Sequence, residues 1–190
     1  MEFRQSKIED LDQIVRIAED AKAFLRASGV SQWQRGTYPD RALFASDVAN
    51  GIGWVLADGD RVCAVCAVTF DDELSYRHLV KGAWLTGDGA AYATIHRSAV
   101  ATACRGQGVA GRLFAFVCDL AASRGVGSVR VDTHPDNRAM RAALEKAGFV
   151  ACGELLLDRC EEAGDPRDGY GGAASPVHSP LWLKYDVFAK

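Results

Sequence analysis

Three glycines and an arginine stand within one short run, Cys104-Arg105-Gly106-Gln107-Gly108-Val109-Ala110-Gly111. Glycine has no Cβ, so a turn rich in it can aim backbone N–H groups outward. A helix that starts there adds its own free N–H groups and the positive end of its dipole. The product is an anion site of the kind a pyrophosphate needs, and Arg105 and Arg112 can add charge at its edge. Side chains able to move a proton lie elsewhere. His96 sits in the apolar segment 92–100, where alternation puts Tyr92, Thr94 and Ser98 on its face. An imidazole titrates near neutrality and can act as a general base. Glu73, with Asp71 and Asp72, follows segment 61–70, and carboxylates there can draw in a cation or relay a proton through water. Asp132 and His134 close segment 126–133. Each group also has a plain structural explanation: a hydrogen-bonded histidine, a solvated charge run, or turn chemistry before Pro135.

Periodicity assigns these groups to strands, helices and turns. Residues 2–5 read as a short strand. Ser6 and Glu9 have capping-box spacing, and Leu11, Ile14, Val15, Ala18, Ala21 and Leu25 recur at helical intervals until Gly29. Pro39 and Asp40 open a short helix to about Asn50. Strands at 53–58 and 61–70 flank Asp58-Gly59-Asp60, a hairpin signal. Residues 71–91 read as irregular, with a short helix near 76–80. A strand at 92–100, a helix at 108–123 and a strand at 126–133 form a βαβ unit. Asn137 caps a helix that ends before Gly148. Strands at 149–157 and 181–188 complete the chain, with a Gly-, Pro- and Ser-rich loop at 160–180 between them. A loop of that length is functional or mobile.

Composition bounds the rest. The 190 residues suit one domain over 1–190, and 48% hydrophobic residues can build a core. A net charge of −3 argues against nucleic acid as a partner. No apolar run reads as a signal peptide or a membrane span, so the expected location is the cytoplasm, with no membrane partner. Of six cysteines, Cys63 and Cys66 form a CxxC pair. The pair lies inside a strand, where a spacing of three turns side chains to opposite faces. No second pair follows at zinc spacing. Buried, reduced thiols and no metal site are expected.

The glycine run spells two signatures. Gly106, Gly108 and Gly111 give GxGxxG between a strand and a helix, with Asp132 about 20 residues on, as in dinucleotide-binding folds and hence an NAD-dependent oxidoreductase. Against that, Ala101–Arg105 separate the strand from the first glycine. The motif also falls mid-chain after an antiparallel meander, and no second mononucleotide half follows. The second signature is a resemblance. From about residue 92 to 157, and more loosely throughout, the chain resembles the GNAT family of N-acetyltransferases. Arg105, Gly108 and Ala110 match its Arg/Gln-x-x-Gly-x-Gly/Ala motif. The strand IHRSAV ends in the family's small apolar pair, and HPDNRAMRAALEKAGF resembles its Asn-containing helix with a Gly-Phe ending.

That resemblance implies a mixed, mostly antiparallel, twisted α/β (α+β) sheet of about seven strands with helices on both faces. It implies acetyl-CoA as cofactor and transfer of its acetyl group to a primary amine of a small molecule or peptide by direct attack. The backbone of Ala99 and Val100 would meet the pantetheine arm. Residues Arg105, Gly106, Gln107, Gly108, Val109 and Ala110 would hold the pyrophosphate, and Asn137 would lie near the arm or simply cap its helix. His96 and Glu73 become the candidate catalytic groups, and Trp33, Tyr38 and Trp84 the candidate acceptor pocket. Arg77, His78 and Lys81 could recognise a carboxylate on the acceptor. Homodimers are frequent among such proteins. The chain departs from the family in one respect: Leu144 stands where many members carry a tyrosine that protonates the leaving thiolate. That leaves a non-catalytic acyl-CoA-binding domain as an alternative.

Overall fold

Apolar periodicity decides which face of the sheet each helix covers. In α1 (Leu11–Ala27), Leu11, Ile14, Ile17, Ala18 and Leu25 recur on one stripe and are buried. In α2 (Arg41–Ala49), Phe44 joins that layer. In α3 (Val109–Ser123), Val109, Leu113, Phe114, Val117 and Ala121 face a second layer, which Leu144 of α4 (Arg138–Lys146) also enters. Helices α1 and α2 therefore pack on one face and α3 and α4 on the other. The computed structural model describes residues 1–87, 89–158 and 161–174.

Among the described residues, one sheet of eight strands lies between the helices: β1 (Glu2–Gln5), β2 (Gly53–Asp58), β3 (Arg61–Thr69), β4 (Lys81–Gly82), β5 (Ala93–Val100), β6 (Ser128–Thr133), β7 (Val150–Leu156) and β8 (Pro166–Ala173). Their spatial order is β1-β2-β3-β5-β6-β8-β7-β4. Every pairing is antiparallel except β5 with β6, which α3 connects. A single parallel pair is not the doubly wound sheet of a dinucleotide fold, so the GxGxxG spelling misleads here. Among the described residues, no helix is long and apolar enough to cross a membrane.

Three expectations change. The cap before α1 shifts by one residue: the Lys7 N–H donates to Asp10 Oδ2 at 2.8 Å, and Ser6 takes no part. The 71–91 segment holds a 3-10 turn at Leu74–Tyr76 and the short strand β4, not a helix at 76–80. The loop assigned to 160–180 contains β8. Its glycines are there for space: a Cβ on Gly169 would lie 2.8 Å from the Trp84 ring, and one on Gly172 2.9 Å from the Phe149 ring. Glycine in a strand often marks such an approach. The strand expected at 181–188, and Cys160, lie outside the described residues.

The CxxC pair corrects a rule of alternation. The register of β2 with β3 steps from Leu56↔Ala64 to Ala57↔Val62, leaving Cys63 as an extra residue. That bulge turns Cys63 into the same core layer as Cys66. Both thiols are free and buried, and burial pushes them above the usual thiol range. Among the described residues no group of three or more His, Cys, Asp or Glu could hold a metal.

Candidate active site

Parallel pairing of β5 with β6 stops after Ala93↔Val129, Thr94↔Arg130 and Ile95↔Val131. Beyond it the strands part, and a cleft of about 710 Å³ opens along the gap. The glycine turn borders the cleft, through Arg105, Gly106, Gly108, Val109 and Ala110. Ala99, Val100, Asn137 and Met140 line it as well, as do Asp71, Asp72, Glu73, Tyr76, Asp132, Glu162 and Arg167.

Gly106 and Gly108 adopt φ of 76° and 73°, values that a side chain disfavours. A Cβ at either position would meet nothing within 4 Å, so the turn faces open space. The first hydrogen bond of α3 runs from Arg112 N–H to Gly108 C=O at 3.1 Å. The N–H groups ahead of it have no helical acceptor and are available to an anion. Arg105 lies over the Phe24 ring at 4.8 Å, which holds its guanidinium beside the turn. These features fit a pyrophosphate. Gln107 does not line the cleft; its side chain bonds back to Ala103 C=O at 2.9 Å.

A second bulge shapes the other part of the cleft. The β3–β5 register steps from Val65↔Ala99 to Ala67↔His96, so β5 carries one residue more than β3. Arg97 takes φ of 51° there. As a result, His96 and Arg97 both turn toward the α1–α2 face. His96 Nε2 lies 3.2 Å from Thr69 Oγ1 and 3.6 Å from Glu73 Oε2. Arg97 donates from Nε and Nη2 to Asp47 Oδ2 and Oδ1 at 3.0 and 2.8 Å. Asp47 is buried on α2, and burial pushes its carboxyl up against the pull of Arg97. Ser98, expected on the His96 face, instead reaches the Met140 sulfur at 4.0 Å, on the α4 side.

A buried polar chain closes the acidic end. Tyr76 Oη donates to Asp132 Oδ1 at 2.7 Å. Arg167 Nε lies 3.4 Å from Asp132 Oδ2, and its Nη2 donates to Glu162 Oε2 at 2.8 Å. The other Glu162 oxygen accepts from the Trp33 N–H, where the backbone takes φ of 61°. Burial raises the Asp132 carboxyl, opposed by the Tyr76 hydrogen bond and the Arg167 charge. Burial and the Asp132 charge push the Tyr76 hydroxyl well up. Gln32 Oε1 accepts from Asn137 Nδ2 at 3.1 Å, tying the loop after α1 to the start of α4.

His96, Glu73, Ala99, Val100, Arg105, Gly106, Gly108, Val109, Ala110, Asn137, Trp33 and Tyr38 share one cleft. Asn137 also caps α4, accepting from Met140 N–H at 3.2 Å. Trp84 does not line the cleft. It packs against Tyr76 at 5.1 Å and under β8, because its ring fills the space that Gly169 leaves. His134 is held structurally: its Nδ1 accepts from Asp136 N–H at 3.2 Å, and its Nε2 meets Ser31 Oγ at 3.1 Å. Arg77 and Lys81 pair with Asp72 and Glu154 at the surface. Sequence reading missed Tyr76, Arg97, Glu162, Arg167 and Asp47. Asp47 left a signal, since it stands three residues after Phe44 on the buried stripe of α2. Leu144 lies in the core and off the cleft.

Known proteins share this fold. The acetyltransferase (GNAT) family matches residues 13–149. A GNAT-family acetyltransferase from Streptococcus agalactiae 2603 is 31% identical, with a TM-score of 0.79 over 90% of this chain and 94% of that one. The ribosomal-protein-S18-alanine N-acetyltransferase of Escherichia coli shares the fold at 16% identity, with a TM-score of 0.59 over 95% of this chain and 97% of that one. Mycobacterium smegmatis RimJ, solved in complex with CoA-disulfide, shares it at 17% identity, with a TM-score of 0.60 over 93% of this chain and 83% of that one. No curated protein matches the chain.

Proposed function

This chain belongs to the GNAT family of acetyltransferases, and we propose that it moves the acetyl group of acetyl-CoA to a primary amine of a small molecule or peptide by direct attack. The observation that carries this reading is one continuous cleft with an anion cradle and a histidine–carboxylate pair on its walls. Acetyl-CoA would supply an acetyl carbonyl already activated as a thioester. The turn from Arg105 to Ala110 and the N-terminus of α3 would hold its pyrophosphate, and Ala99 and Val100 would face its pantetheine arm.

His96 is the proposed proton acceptor. A lysine-like amine has a pKa near ~10.4 and arrives charged, so it must lose a proton before it attacks. Glu73, at 3.6 Å from the imidazole, draws in the cation and stabilises the charged ring. Asp71 adds negative potential to the same lining, whereas Asp132 and Glu162 share the charge of Arg167. Trp33 and Tyr38 form its aromatic wall, and the setting we propose is the cytoplasm.

The test is acetyl-CoA-dependent thiol release across an amine panel, with a thermal shift for binding. Stabilisation by acetyl-CoA and turnover of at least one amine are expected. An unchanged melting temperature would refute the reading. A second reading, a binding domain without turnover, draws on Leu144, whose side chain is buried and offers no hydroxyl to the leaving thiolate. Stabilisation by acetyl-CoA with no turnover on any amine would favour it.

A further inference from the structure

The bulge in β5 sets a proton acceptor and a guanidinium side by side. In an unbroken strand, consecutive side chains point to opposite faces. Here His96 and Arg97 share one face and both line the cleft. A guanidinium has five N–H donors in a rigid fork. Asp47 takes one at Nε and one at Nη2 and so fixes the plane of the group. The far edge, with Nη1 and the second Nη2 hydrogen, is directed away from that carboxylate. Tyr38, which also lines the cleft, stands beside Arg97.

Two features of Arg97 go beyond what closing the sheet requires. Its φ of 51° is unfavourable for any residue with a Cβ. Its ion pair with Asp47 is buried, with side chains 11% and 6% exposed, and desolvating two charges is costly. A glycine could bulge at that position without either cost. The other cations on the lining are engaged elsewhere. Arg105 stands at the glycine turn, and Arg167 is buried between Glu162 and Asp132.

Resting on the acetyl-transfer reading above, we infer that the acceptor carries a carboxylate close to its amine, as an amino acid does, and that Arg97 receives this carboxylate. The amine then meets His96 and Glu73, while Asp47 acts as a positioning residue that aims the fork. Neighbouring Cα atoms are ~3.8 Å apart, so the two sites suit two groups on one small molecule. A guanidinium edge matches a carboxylate in shape and charge, which a lysine would not.

The experiment compares acceptors that differ only in that group: amino acids, their amides and their decarboxylated amines, over a panel of side chains. Binding of acetyl-CoA is followed separately by thermal shift. The wild-type protein should turn over the amino acids at least ten-fold better in kcat/KM, with the difference in KM. Arg97→Gln should erase that preference, Arg97→Lys should restore part of it, and the acetyl-CoA shift should survive in both. Equal or faster turnover of amides and decarboxylated amines by the wild-type protein would overturn the inference and leave acetyl transfer standing. That comparison needs no variant, so it holds even where Arg97→Gln fails to fold. No thermal shift with acetyl-CoA would overturn acetyl transfer and the inference with it, and a shift with no turnover of any member would overturn the inference alone.

Discussion

His96 Nε2 and Glu73 Oε2 lie 3.6 Å apart, although one comes from the centre of β5 and the other from the turn after β3. The Tyr92 hydroxyl accepts from the Glu73 backbone N–H at 2.8 Å and so pins that turn to the start of β5. The pair is thus built by the strand pairing and does not wait for a substrate. His96→Gln should lower kcat about 100-fold, the lower range for a lost general base. Glu73→Gln should cost less. Full activity in His96→Gln would eliminate the imidazole as base.

Gly108→Glu should abolish acetyl-CoA binding in a protein that still folds. The new side chain has open space around its Cβ, and a left-handed φ costs only about 1–2 kcal/mol. A carboxylate at the mouth of the turn, however, repels a pyrophosphate. Thermal shift with acetyl-CoA reads binding, and circular dichroism reads the fold. Retained affinity would contradict the proposed cradle.

Asp47→Ala strands the Arg97 guanidinium. Breaking a buried ion pair on one side costs about 3–5 kcal/mol, and the residual 11% exposure of Arg97 points to the lower end. Urea denaturation should show that loss. Asp47→Ala combined with Arg97→Met should recover most of it, because no charge is then left without its partner.

Acid should weaken the N-terminal turn. Arg4 and the Lys7 N–H both bond the Asp10 carboxylate, and the Arg4 hydrogen bond is the main cause holding its pKa below the usual 3.8. A depressed folded-state pKa gives stability that is fully present above the unfolded value and is lost as pH falls through the folded one. The difference in melting temperature between wild type and Asp10→Asn should therefore shrink from about pH 5 to about pH 2. A difference that stays constant would refute this assignment.

Gly169→Ala tests why β8 is rich in glycine. The added methyl would lie 2.8 Å from the Trp84 ring and 3.2 Å from Leu155. Overpacking of this kind costs about 1–3 kcal/mol, and the midpoint of urea denaturation should fall accordingly.

What the sequence made legible is local. Helix faces follow from apolar spacing within one segment, and the glycine turn from residues adjacent in the chain. The shared face of His96 and Arg97 was hidden, because it depends on the register of β5 against β3. Nothing inside 92–100 specifies that register. The same holds for Cys63, moved by the register of β2 against β3. The bond from Tyr76 to Asp132 joins residues 56 positions apart, and Arg167 lies in a strand disguised by its glycines. Those glycines make sense only beside Trp84 and Phe149, which come from distant segments.

The place of β8 in the sheet has a consequence for how the chain is made. It inserts between β6 and β7, with six backbone partners on each side. A nascent chain emerging from the ribosome can pair β1, β2, β3, β5 and β6 as each appears. Strands β7 and β4 pair with each other but have no bridge to that body until residues 166–173 follow. The larger half of the sheet is thus available early in synthesis. The half bearing Glu162 and Arg167, and with it the acidic end of the cleft, is completed late.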